Sequence, residues 1–151
     1  MNIQKFTQKS VEAINDCEKL AYEYGNQEIE QEHLLVALLR QEDGLILKLI
    51  EKMEINKEYF LNSAESKLAE RVKVSGGQVY IGQDLNKVLI SAEDEAKRMG
   101  DEYVSVEHLF LTLLKYPNKA MKELFKEFGI TKERFLPVSY THLTLPTKLE
   151  V

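Results

Sequence analysis

Four residue types are rare or absent in this chain of 151 residues, which has one cysteine, no tryptophan, three prolines and seven glycines. The lone cysteine, Cys17, cannot form a disulfide within the chain, which favours a reducing compartment and a buried thiol. The longest apolar run, Leu34 to Leu39, is far shorter than the roughly 20 residues that a membrane-spanning helix needs. The polar N-terminus also does not resemble a secretory signal, so we expect a cytoplasmic protein.

An excess of basic residues is missing as well. The formal net charge is −5, and Lys and Arg are interleaved with Asp and Glu along the chain. This balance argues against nucleic acid or an anionic membrane as the main partner. With 44% apolar and 30% charged residues, the composition is that of a globular protein with room for one domain and a real core.

An internal duplication is the strongest feature of the sequence. Residues 6–60 align with residues 81–135 without a gap, and we call two residues at aligned positions counterparts. Identical counterparts include Ala21/Ala96, Gly25/Gly100, Glu32/Glu107, His33/His108, Leu34/Leu109, Leu38/Leu113 and Leu39/Leu114. Two copies predict a duplicated domain with pseudo-two-fold symmetry rather than an open solenoid.

The apolar spacing within each copy is helical, and capping residues precede most of the helical segments. Only Glu30 is a weak cap by residue type. The fold class predicted is therefore all-α, with two tandem four-helix repeats at 6–70 and 84–136 inside a domain spanning 1–136. The predicted helices are 8–24, 31–40, 45–53 and 57–70, then 84–99, 106–115, 119–128 and one from 132 onward. The second helix of each repeat is apolar nearly all round, so we expect it at the centre.

Two segments fall outside this pattern. Residues 71–83 form the linker between the repeats, and their β-rich, Gly-containing sequence predicts a mobile, exposed loop. After Leu136 the helical period stops, and Pro137 is expected to end the last helix after about one turn. We therefore predict that residues 137–151 are a disordered, non-native tail, and we give them no functional weight.

No catalytic motif is recognisable. The chain has no Gly-rich phosphate loop, and Cys17 has no base near it in the sequence pattern. The pairs Glu32-His33 and Glu107-His108 lack the i, i+4 His spacing of a zinc-binding helix, so no metal site is predicted. A first-turn Glu beside the positive end of a helix, with a His that satisfies a free backbone group, explains both pairs better. Either Glu could in addition meet a ligand.

Three segments carry a family resemblance: KFTQKSVEAI, IEQEHLLVALLRQEDGLI and YVSVEHLFLTLLK. They are similar to the N-terminal domains of the Clp chaperones, most of all the ClpB disaggregases, over residues 1–136. The resemblance implies a mobile front domain of a hexameric AAA+ machine that captures unfolded or aggregated polypeptide. ATP and Mg would bind to ATPase modules that are absent from this chain. The domain itself is then non-catalytic, free of cofactors and monomeric when isolated.

The resemblance also implies site residues. Thr7, Leu89, Asp101 and Glu107 match an apolar, polar-rimmed client groove of ClpB-like domains. Exposed apolar residues are normal one at a time, but Tyr80, Ile81 and Ile90 beside flexible chain would extend such a groove. We predict these seven as substrate-binding residues.

An alternative comes from ClpC-like relatives, in which residues matching Glu32 and Glu107 bind phosphorylated arginine or an adaptor protein. The residues before each Glu-His pair, Glu30-Gln31 and Ser105-Val106, lack the Gly-Thr of those relatives. The ClpB-like interpretation is therefore preferred, and an enzyme with an unrecognised site has little support.

Overall fold

Helices dominate the computed structural model, which describes residues 3–74 and 76–144, with side chains described as far as residue 139. A short 3-10 helix, Ile3–Lys5, precedes eight α-helices in this part of the chain. Their bounds are α1 Gln8–Tyr24, α2 Gln31–Arg40, α3 Leu45–Lys52, α4 Lys57–Ala69, α5 Gln83–Arg98, α6 Val106–Lys115, α7 Lys119–Phe128 and α8 Lys132–Thr144. Every predicted helix is confirmed, and the predicted bounds of α1 to α7 lie within one residue of those observed. None of these helices has the length and apolar composition to cross a membrane.

The centre of the molecule is formed by α2 and α6, as predicted. Side chains are buried without interruption from Gln31 to Leu39 in α2 and from Val106 to Leu113 in α6. Around them pack α1 and α5, followed by the shorter α3, α4, α7 and α8. The two repeats are α1–α4 and α5–α8, and they share one hydrophobic core.

Short strand pairings cross between the repeats. Strand β1, Glu28–Ile29, pairs in parallel with β2, Tyr80–Ile81, so that Ile29 faces Ile81. Phe6 forms a parallel bridge with Val104, and these two residues are the counterparts of Ile81 and Ile29. The segment just before the first helix of each repeat therefore pairs with the other repeat. These two reciprocal pairings connect the repeats.

The linker between the repeats is exposed, as predicted, but it is hydrogen-bonded to repeat one at both ends. The N–H of Val74 donates to Gly25 O at 2.9 Å, and the Asn26 side chain donates to Val72 O at 3.0 Å. Further along, Tyr80 and Gly82 donate to Gln27 and Ile29 at 2.9 and 2.8 Å. These contacts fix where Tyr80 and Ile81 lie.

Pro137 does not end the last helix, so that prediction was wrong. It lies inside α8, which continues to Thr144, and the predicted disordered tail is therefore helical over 137–144. Proline cannot donate the N–H that would bond to the carbonyl of Glu133. Side chains on both sides of it compensate, because Phe135 is 1% exposed and Ser139 is 3% exposed in the core. Residues 145–151 lie outside the described part of the chain.

Candidate functional site

An open, mostly apolar groove of about 350 Å³, which we call the larger groove, lies between α1 and α5. Its lining residues are Ile14, Asn15, Cys17 and Glu18 of α1, Ile29, Leu34, Val79, Tyr80 and Ile81, and Leu85 and Leu89 of α5. Leu34 and Leu89 are at most 1% exposed and form its floor, whereas Tyr80 and Ile81 are 52% and 44% exposed at its edge. Apolar side chains exposed beside an apolar depression are typical of a binding surface.

Three of the predicted site residues come together in this groove: Tyr80, Ile81 and Leu89. The other four do not line it. Sequence reasoning missed Ile14, Cys17, Val79 and Leu85, which complete its walls. Ile14 and Leu85 lie at the same helical spacing as the core residues of α1 and α5. The sequence therefore does not distinguish groove residues from core residues at these positions.

A smaller groove of about 150 Å³ lies at the pseudo-symmetric position and is lined by Lys5, Glu93, Ala96, Lys97, Asp101, Glu102 and Val104. Glu93 and Val104 are the counterparts of Glu18 and Ile29 in the larger groove, and Lys5 and Tyr80 each lie one residue before the aligned segments. Asp101 of the predicted set lies here. Ile90, which is 49% exposed, is the counterpart of Asn15 at the rim of the larger groove. The predicted residues are therefore divided between two related places.

Thr7 has a complete structural role. Its hydroxyl accepts the N–H of Ser10 at 3.2 Å and caps α1, and its own N–H donates to Val104 O at 3.0 Å. Its backbone thus helps to hold the crossing pair Phe6 and Val104. A cap of this kind contributes about 1 kcal/mol to stability.

The histidine of each Glu-His pair caps a helix, as the sequence indicated. The Nδ1 atoms of His33 and His108 accept the N–H groups of Glu30 and Ser105, each at 2.9 Å. The opposite ring nitrogens contact Asn26 at 2.9 Å and Asp101 at 2.7 Å, which are themselves counterparts. Each histidine therefore links the start of α2 or α6 to a residue two or three positions after the end of α1 or α5.

The carboxylates of Glu32 and Glu107 are each 4% exposed. Glu32 is bound on both oxygens: Arg71 Nη1 lies 2.9 Å from Oε2, and Asn118 Nδ2 donates to Oε1 at 2.9 Å. Arg71 also reaches Glu28 at 2.7 Å. Glu107 accepts a hydrogen bond from Ser139 at 3.3 Å. A guanidinium group of the chain itself thus occupies the place at Glu32 that the alternative interpretation reserves for a ligand.

Glu30 caps α2 in spite of its residue type, which corrects the weak-cap prediction. Its two oxygens accept the N–H groups of Gln31 and Asp84, each at 3.2 Å, so it joins the starts of α2 and α5. The longer side chain requires room, and an added Cβ at Gly82 would overlap the Glu30 carboxylate. In the other repeat the sizes are reversed: the counterpart of Glu30 is the short Ser105, and the counterpart of Gly82 is Thr7, which has a side chain.

Burial shifts the pKa values of the capping pair in repeat one. It raises the pKa of the Glu30 carboxyl to about 7, although the N–H of Gln31 acts in the opposite direction. It lowers the pKa of His33 to about 4, and the positive charge of Arg71 adds to this effect. The folded state therefore favours a neutral Glu30 and a neutral His33.

The two shifts predict opposite pH dependences of stability. As the pH falls from about 6.5 to 4.5, the unfolded state protonates His33 before the folded state does, so His33 lowers stability. Over the same window Glu30 raises stability, because its folded-state pKa is the higher one. Over this pH range we expect Glu30→Gln to increase the slope of the free energy of unfolding against pH by up to ~1 kcal/mol per pH unit. His33→Gln should decrease that slope. Urea unfolding at pH 4.5, 5.5 and 6.5 measures both, and slopes unchanged from the parent chain would contradict the assignment.

The fold and the site define a duplicated eight-helix domain with exchanged pairing segments and one larger apolar groove. Residues 5–128 match the family model of the Clp repeat (R) N-terminal domain, and the chain belongs to this family. It is 41% identical over 144 residues to the chaperone protein ClpB of Nitratidesulfovibrio vulgaris, with 91% of this chain and 17% of that protein covered. The chain is homologous to the N-terminal domain of ClpB, and it spans only about 17% of the length of that relative.

Solved structures agree on the fold. The Hsp104 N-terminal domain from Candida albicans superposes with a TM-score of 0.78 at 21% identity, covering 95% of this chain and 93% of that chain. A complex of the ClpV N-domain with a VipB peptide gives a TM-score of 0.70 at 18% identity, covering 91% and 89%. These likenesses confirm the predicted Clp N-domain fold.

Proposed function

We propose that this domain captures unfolded or aggregated polypeptide for an AAA+ disaggregase of the ClpB type, and that the larger groove binds the captured segment. The observation that carries this proposal is the position of Tyr80 and Ile81. Both are held at the groove edge by pairing with β1, and both remain about half exposed beside a buried apolar floor. A preformed apolar depression with a rim of Asn15 and Glu18 suits a chain that exposes apolar side chains.

The relatives support this proposal in two ways. The ClpB relatives are chaperone proteins, and this chain is homologous to their N-terminal domain. The ClpV N-domain, which shares the fold, has been solved with a VipB peptide, so a domain of this architecture can hold a peptide. The groove here has room for only a few side chains, and we expect dissociation constants of about 1 μM or weaker.

The proposal assigns only binding to this domain. ATP and Mg would be bound by ATPase modules of a longer, hexameric parent protein working in the cytoplasm, with adaptor proteins as further partners. Nucleic acid and membranes are not proposed as partners, because the net charge is −5 and the basic residues are interleaved with acidic ones along the chain.

The contacts of Glu32 weigh against docking of phosphorylated arginine. Such a ligand would have to displace Arg71 from a carboxylate that is 4% exposed and already bound on both oxygens. Its counterpart Glu107 is equally buried. The groove at Tyr80 and Ile81, by contrast, is accessible without any rearrangement.

Replacing both edge residues tests the proposal. Tyr80→Ser combined with Ile81→Ser should weaken binding of casein, an unstructured client, by about tenfold, because two partly exposed apolar side chains no longer contact it. Stability should change by no more than about 1 kcal/mol, since neither side chain is in the core. Isothermal titration calorimetry of the 151-residue chain measures the affinity.

The matched control replaces an exposed aromatic and an exposed aliphatic residue elsewhere. Val72→Ser with Tyr103→Ser changes residues that are 79% and 53% exposed and outside the groove, and it should leave casein binding unchanged. Equal affinities of the parent chain and the groove variant would overturn the assignment of the groove.

A further inference from the structure

The two related grooves differ at one decisive position. Ile81 pairs with Ile29, and its counterpart Phe6 pairs with Val104, so the backbone holds both residues in the same relation to the fold. Their side chains end up in different environments. Ile81 is 44% exposed, whereas the ring of Phe6 is 6% exposed and belongs to the hydrophobic core.

The space beside these residues differs accordingly. The groove is about 350 Å³ beside Ile81 and about 150 Å³ on the side of Phe6. The helix positions related to Ile14 and Cys17 are also apolar, namely Leu89 and Ala92, but the smaller groove itself is lined on α5 by Glu93, Ala96 and Lys97. An aromatic ring supplied by the chain is thus buried on one side of the pseudo-two-fold axis, and the related place is open on the other.

We propose that the larger groove selects its client through a single aromatic side chain, which occupies the space related to that of the Phe6 ring, and that Ile81 determines this selectivity by leaving that space open. This inference rests on the proposed function, because it specifies the side chain that the captured segment presents. The occupant is an unfolded polypeptide segment with an exposed Phe or a similar ring.

The chemistry of the lining fits a ring. Ile14, Leu85 and Leu89 supply aliphatic walls, and Tyr80 stands at the edge where ring-to-ring contact is possible. An aromatic side chain buries more area than an aliphatic one at the loss of only two rotatable bonds. Leucine would leave part of the space unfilled, and alanine would leave nearly all of it.

Filling the space from within is the first test. Ile81→Phe introduces the residue that the fold already accepts at the related position, so the chain should remain folded with an unchanged or higher melting temperature. Its ring should close the groove and weaken casein binding at least tenfold. Val72→Phe is the matched control, because it adds the same ring at a position that is 79% exposed and outside the larger groove, and it should bind casein within about twofold of the parent chain. Equal casein binding by Ile81→Phe and the parent chain would overturn the proposal.

A peptide series on the parent chain tests the same inference without any mutation. The probes are N-acetylated, C-amidated peptides of sequence Gly-Ser-Gly-Xaa-Gly-Ser-Gly, with Phe, Leu or Ala at Xaa, titrated against isotopically labelled chain by NMR. The Phe peptide should shift the amides of Ile14, Cys17, Ile81 and Leu85 and bind about fivefold or more tightly than the Leu peptide. The Ala peptide should cause no localised shift.

The outcomes separate the two proposals. If casein does not bind the parent chain at the larger groove, the proposed function fails and this inference fails with it. If casein binds there but the Phe and Leu peptides bind equally well, the domain captures clients and only the aromatic selectivity is wrong. Tight binding of the Phe peptide to Ile81→Phe would also overturn the selectivity, whatever the behaviour of casein.

Discussion

Truncation of Phe110 to alanine is expected to lower the free energy of unfolding by about 3–5 kcal/mol. Phe110 is fully buried in α6, and its ring makes edge contacts with Phe125 of α7 at 5.8 Å and tilted contacts with Phe135 of α8 at 4.9 Å between centroids. The substitution removes these ring pairs and leaves a cavity between three helices that cannot all collapse into it. Urea unfolding monitored by circular dichroism measures the loss.

Ile90→Ala is the control for this prediction, because Ile90 is 49% exposed on α5 and its truncation should cost no more than about 0.5 kcal/mol. A loss below 1 kcal/mol for Phe110→Ala would mean that the three helices repack around the smaller side chain. The position matters for function as well, since α6 packs against α5, which carries Leu85 and Leu89 of the larger groove. Looser packing of α6 should therefore also weaken client binding.

Helix positions could be predicted because their signals are local and agree with one another. Thr7 caps α1 at its start, and Gly25 ends it in the left-handed conformation at φ 70°, which glycine adopts without strain. The repeat supplied a second, independent copy of most of these signals. The capping residues, the spacing of the apolar residues and the alignment of the two repeats all indicated the same helix bounds.

The crossing strand pairs could not be predicted, because they depend on contacts between residues far apart in the sequence. Nothing local to Phe6 indicates that it pairs with Val104, and the pairing of Tyr80 and Ile81 with β1 is equally remote. The linker sequence indicated β-structure but not its partner. As a consequence, the sequence placed residues of both grooves in one site, and only the structure separates Asp101 from Tyr80 and Ile81.

The error at Pro137 has a related cause. A proline inside a helix normally ends or kinks it, and that local rule was applied without knowledge of the packing on either side. Phe135 is buried before the proline and Ser139 donates to Glu107 after it, so packing on both sides favours continuation of α8. Arg71 was missed for the opposite reason: one basic residue at the start of a linker has no pattern, and only the fold brings it to Glu32.

Removal of Arg71 should have the second large effect, on both stability and ligand recognition. Arg71→Ala is expected to lower the free energy of unfolding by about 2–4 kcal/mol, because it leaves the buried carboxylate of Glu32 without its ion pair and with only a neutral amide, that of Asn118 in repeat two, bound to Oε1. The side chain of Arg71 is itself 20% exposed, so the expected loss is below that of a fully buried pair. Arg98→Ala is the control, since Arg98 is 61% exposed in its pair with Glu95 and should contribute less than about 1 kcal/mol.

The same variant should turn Glu32 into a receptor for an external guanidinium group. Methylguanidinium at ~10 mM should raise the melting temperature of Arg71→Ala and leave that of the parent chain unchanged, because only the variant has an unoccupied place beside Glu32. A phosphoarginine peptide should likewise bind the variant and not the parent chain. Binding of that peptide to the parent chain would mean that Arg71 can be displaced, and the ClpC-like docking mode would then have to replace client capture as the preferred function. Rescue confined to the variant would show that this chain has filled its own guanidinium site, which leaves the groove at Tyr80 and Ile81 as the surface for clients.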